Sequence, residues 1–172
     1  MAPDRDGRPF SKEQSVTKIL LASHVLAAII AVGPVTVAAS MFPAAARHAA
    51  DSGSDRDRAV VAALHRICRV YAGIGIAVPA CGLATASSLG VLGDAWVLAS
   101  IALTAAAAAM LGLLILPGQL AVLGGEMPTA GAGLRIEKQV TTRLACYTGV
   151  FNLLWVAVTV LMIVRPGSTT GA

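Results

Sequence analysis

Residues Ile19 to Phe42 read ILLASHVLAAIIAVGPVTVAASMF, without one charged side chain. A helix crossing the hydrocarbon core of a bilayer needs ~20 apolar residues, so this run is long enough to span. Three more follow: Val70 to Ala86, Ala95 to Leu116 and Leu144 to Val164. Lipid offers no partner to backbone N–H and C=O groups, which leaves helices and closed barrels as spanning structures. A barrel strand alternates apolar and polar residues. These runs are continuous, so they are read as helices. The fold class that follows is all-α, a four-helix transmembrane bundle.

Composition agrees. Over 172 residues, 56% are hydrophobic and 13% charged, whereas soluble domains hold ~45–50% apolar and ~25% charged residues. The four spans use most of the chain. The expected layout is a polar tail over residues 1–17, a membrane domain over 18–165 and a short tail over 166–172. The spans are placed at about 19–42, 66–86, 95–116 and 144–164. Pro43 to Arg58 reads as a loop, and Pro117-Gly118 as the end of the third span. Pro34 predicts a kink near Ile30 to Gly33, because proline removes a backbone donor.

In the first span His24, Ala27, Ala28, Ala31, Val35 and Ala38 fall on one helical face. Small faces let membrane helices approach closely, and buried polar groups turn toward them. Ser100, Thr104, Ala108 and Gly112 make a similar seam in the third span, and Thr148, Gly149, Asn152, Trp155 and Thr159 in the fourth.

The chain carries 13 Lys and Arg against 9 Asp and Glu, all outside the apolar runs. No basic cluster is interleaved with aromatics, so no nucleic-acid partner is expected. Lys and Arg concentrate in cytoplasmic loops. The second loop, Ser87 to Asp94, has none, while the first and third carry Arg47, Arg56, Arg58, Arg66, Arg69, Arg135, Lys138 and Arg143. The expectation is a multi-pass protein of the bacterial inner (plasma) membrane with both termini outside. Arg66, Arg69, Lys138 and Arg143 then form an inner cationic rim facing anionic lipid head groups. Cys68, Cys81 and Cys146 show no metal-ligand spacing, so no metal site is expected.

Counting inward at ~1.5 Å per residue places His24, Cys81, Ser100 and Thr159 at similar depth. That predicts a polar layer in the outer third of the bundle. Two meanings for His24 remain open. One is a neutral imidazole hydrogen-bonded to a neighbouring hydroxyl. The other is axial ligation of haem b, since histidine is the common axial ligand, with Met162 as second ligand. No nucleophile–base pair and no intramembrane carboxylate is present, so an enzyme is not the favoured class.

HVLAAIIAVGP (His24 to Pro34), followed by a second helix beginning with Arg66 and Arg69, resembles a family of bacterial four-helix integral membrane proteins grouped by a domain of unknown function. That family is in turn distantly similar to haem-binding proteins of the protoporphyrinogen-oxidase type. The resemblance implies a haem-ligand role for His24 alone. The oxidase type also uses a Lys in a later helix, and the second, third and fourth spans here carry none. The expected role is a structural or accessory subunit of a membrane assembly, as a homo-oligomer or with a membrane-protein partner. The alternatives are a haem-binding redox protein and a small transporter.

Overall fold

The computed structural model describes residues 10–124 and 133–167, with side chains described over 14–124 and 139–167. The polar tail ahead of Phe10, part of the third loop and the C-terminal tail past Gly167 lie outside the described residues.

Among the described residues the chain is helical throughout. The elements are α1 (Phe10–Ser52), α2 (Asp55–Ile74), α3 (Ala77–Ser88), α4 (Ala95–Met110), α5 (Leu116–Leu123) and α6 (Gly133–Val164), with a π turn at Leu111–Ile115 between α4 and α5. They form four helices long and apolar enough to cross a membrane: Gln14–Ser52, Asp55–Ser88, Ala95–Leu123 and Gln139–Val164. The protein is an all-α four-helix bundle and an integral membrane protein. Large apolar side chains such as Ile19, Ile29, Leu113, Leu153 and Ile163 lie exposed on the outer surface of the bundle, where lipid is their natural solvent.

Helix α1 is the backbone of the bundle. It packs along both α2 and α3 on one side and along α6 on the other, while α6 also packs against α4. The second and third spans are linked mainly where α2 meets α5, and α3 only grazes α4. A single stripe of α1 makes most of this core: Ala31, Val35, Ala38, Ala39, Phe42, Ala46 and Ala49 are all buried. Their spacings of three and four residues follow the helical period.

Four prolines of the spans behave in three ways. Helix α1 runs unbroken through Pro34 and Pro43 to Ser52, so the loop expected at 43–58 shrinks to Gly53 and Ser54. The segment Pro43 to Ala50 is rich in alanine, the best helix former, and Ala46 and Ala49 join a core with Val61, Leu64 and Cys68 of α2. The turn is closed locally. Gly53 has φ +61°, a conformation that favours glycine. The Ser54 hydroxyl accepts the Arg56 N–H at 3.2 Å, and the Ser52 hydroxyl donates to Asp57 at 2.5 Å.

Pro79 breaks the second span instead. It has no N–H for the Gly75 carbonyl four residues back. That carbonyl takes the Val78 N–H at 3.1 Å, and the helix is interrupted between Ile74 and Ala77. Pro117 does not end the third span as expected. The π turn before it lets the Leu116 N–H reach back five residues to Leu111 O. The chain then continues as α5 through Pro117 and Gly118.

Helix α1 is 43 residues long, or about 64 Å at ~1.5 Å per residue, roughly twice the ~30 Å hydrocarbon core. The end of α1 and the start of α2 therefore form a packed projection beyond the apolar spans. We call this the hairpin end and the opposite one the termini end.

Candidate functional site

Two histidines sit at opposite ends of the bundle, each tied to another helix through Nδ1. At the termini end, His24 of α1 is 8% exposed. Its Nδ1 lies 2.9 Å from the Val78 carbonyl oxygen of α3. A carbonyl can only accept, so Nδ1 carries the proton and the neutral ring keeps its lone pair on Nε2. Gly82, one turn further along α3, makes the approach possible. A Cβ there would lie 2.8 Å from His24 Cε1 and 3.1 Å from Nδ1. The partner is thus a backbone carbonyl, where a hydroxyl was expected.

The other members of the expected polar layer hold their own helices. The Ser100 hydroxyl, buried on α4, donates to Trp96 O at 2.8 Å. The Thr159 hydroxyl, exposed on α6, donates to Trp155 O at 2.8 Å. Cys81 is half-buried on α3 beside Gly82, and its thiol is free. Met162 is half-buried on α6, and its carbonyl accepts the Arg165 Nε–H at 3.4 Å. The Arg165 guanidinium also lies 5.6 Å from the Trp96 ring centroid, a cation–π distance.

At the hairpin end, Gln119 of α5 is 1% exposed and joins two residues of α2. His65 Nδ1 lies 3.1 Å from Gln119 Oε1, and Gln119 Nε2 donates to Cys68 Sγ at 3.6 Å. With the amide nitrogen given to sulfur, its oxygen accepts from His65, and Nδ1 is again the protonated nitrogen. His65 and Cys68 are three residues apart, which puts both on one face of α2. Cys68 is fully buried.

Gln119 was missed by sequence reasoning. The available signal was an amide inside the apolar run Leu113 to Leu123, but reading Pro117-Gly118 as a span end placed it in a loop. Gly118 is itself a contact residue. A Cβ there would lie 2.9 Å from Leu144 Cδ2, so α5 and α6 meet backbone to side chain.

The expected rim is spread over two helices at the hairpin end. Arg66 and Arg69 of α2 and Arg143 of α6 are exposed. Lys138 is on α6, and its side chain lies outside the described residues. Among the described residues no three His, Cys, Asp or Glu side chains gather as a metal site would require. What the two stations can do chemically is hold helices in register, each through an imidazole Nδ1–H seated on an acceptor of another helix.

A family model described as "Predicted integral membrane protein (DUF2269)" matches residues 18–166. The chain belongs to this family. The match runs from Lys18 across all four spans, so the DUF2269 region includes His24 with Val78 and Gly82, the α1–α2 projection, and His65 with Gln119. No curated protein and no solved structure matches the chain.

Proposed function

We propose that this family member is a structural or accessory subunit of a membrane assembly, and that its α1–α2 projection meets the partner. The observation that carries this reading is the projection itself. Its helices continue past the apolar spans with a packed interior of Ala46, Ala49, Val61 and Leu64, and they present exposed Arg47, Arg56 and Arg58. The same projection carries Asp51, Asp55 and Asp57, with Arg58 3.3 Å from Asp55. It is thus a rigid hairpin bearing both signs of charge, which suits a polar partner surface of mixed charge. The basic residues favour the hairpin end on the cytoplasmic side of an inner membrane, with both termini outside.

Native gel electrophoresis of gently solubilised membranes tests this. The wild type is expected in a species heavier than a monomer, whether a homo-oligomer or a complex, and Arg56→Glu with Arg58→Glu is expected to shift it toward the monomer. A wild type that runs only as a monomer overturns the reading. Labelling of Gly53→Cys by a membrane-impermeant maleimide tests orientation. Protection in intact cells is expected, and labelling from outside reverses the topology.

Haem binding by His24 is the second reading. Its support is the tautomer, because ligating histidines are commonly held through their other ring nitrogen. Against it stands the packing: His24 is almost fully covered and its ring rests on Gly82. As packed, the α1–α3 seam does not fit a macrocycle. Absorption spectra of purified protein supplied with haem, oxidised and reduced, separate the two readings. A Soret band that His24→Ala abolishes establishes the ligand; a colourless, folded wild type rejects it.

A further inference from the structure

Three helix-borne hydroxyls share one habit. Thr85, Ser100 and Thr159 each donate to the carbonyl four residues earlier on their own helix, at 2.8 Å. Thr148 breaks it. It is 3% exposed, and its hydroxyl, with no measurable surface, has no partner among the described residues. Two more fully covered polar atoms on α6 share this state, Asn152 Oδ1 and Trp155 Nε1. The spacings of four and three residues put all three on one face. That face belongs to the part of α6 that packs on α1, since Asn152 Nδ2 donates to the α1 residue Ser40 at 3.2 Å.

We propose that the Thr148–Asn152–Trp155 face of α6 is a binding site for internal water in the α1–α6 seam. The chemistry is complementary. Thr148 O–H and Trp155 Nε1–H are donors and Asn152 Oδ1 is an acceptor, while water offers two lone pairs and two hydrogens and holds buried sites through 2–4 such bonds. Side chains three or four residues apart on a helix are neighbours, ~5–6 Å apart at Cβ. The polar atoms are also fixed in aim. Ser40 holds the Asn152 amide, and Trp155 meets Phe151 edge-on, with centroids 6.3 Å apart and planes at 73°. Leaving three covered polar groups unpaired is unfavourable, and more so within lipid.

The test is water-selective cross-relaxation to the indole N–H of Trp155 in the isotope-labelled full chain, with Thr148→Val as the isosteric variant. A water cross-peak at Trp155 that Asn152→Leu abolishes, with a lower Tm for Thr148→Val, is the expected result. A Trp155 N–H that contacts only lipid or detergent protons overturns the site. So does a raised Tm for Thr148→Val, because removing an unpaired buried hydroxyl from a dry seam stabilises.

Discussion

His24 Nδ1 and the Val78 carbonyl oxygen, 54 residues apart in the chain, lie 2.9 Å from each other. This bond joins α1 to α3 at the point where α3 offers a glycine instead of a side chain. The approach brings the imidazole onto the Gly82 backbone. Polar contacts of this kind between membrane helices contribute ~0.6–2 kcal/mol. Their larger effect is on register, since a slip of either helix removes the acceptor.

Replacing His24 by Ala is expected to lower stability by about 1–3 kcal/mol, combining the lost bond with an unfilled space over Gly82. Thermal unfolding in detergent checks it. A variant as stable as the wild type removes His24 from the set of helix ties.

Gly82→Ala is expected to destabilise more than Gly118→Ala. The new methyl at 82 would meet an imidazole ring held by its own hydrogen bond, at 2.8 Å. At 118 it would meet the far end of Leu144, at 2.9 Å, and a leucine has rotamers to yield with. Overpacking of this kind costs ~1–3 kcal/mol. The order of the two Tm losses is the result to read.

Gln119→Leu is expected to destabilise by about 1–3 kcal/mol, because His65 Nδ1–H loses its acceptor in a half-buried site. Adding His65→Leu in the same protein is expected to recover part of that loss, since no donor then remains unpaired. Reactivity of Cys68 toward a small thiol reagent reports the same event. It is expected to rise in Gln119→Leu as α5 loosens from α2.

The bundle was legible from its runs because lipid imposes a single demand, that backbone groups pair within the helix. The stripe of α1 was legible for the same reason, and Ala31, Val35 and Ala38 are buried at the spacing that sequence alone suggests. The ends of the helices were not. Pro43 and Pro117 look alike as breakers, yet one is carried by an alanine-rich stretch packed on α2, the other by a π turn that relocates hydrogen bonds. Both outcomes depend on tertiary contacts that a local pattern does not contain. Gln119 was hidden by that same misplacement, and the covered state of Thr148 depends on the packing of α6.

Polar side chains, His24 foremost, hold the helices of this bundle in register by seating on another helix. A double-mutant cycle between His24→Ala and Gly82→Ala tests it most directly. If the ring rests on Gly82, the alanine at 82 that harms the wild type is harmless once the imidazole is gone, and the two losses fail to add. Losses that add in full would mean that the two residues do not touch and that His24 is not seated on α3.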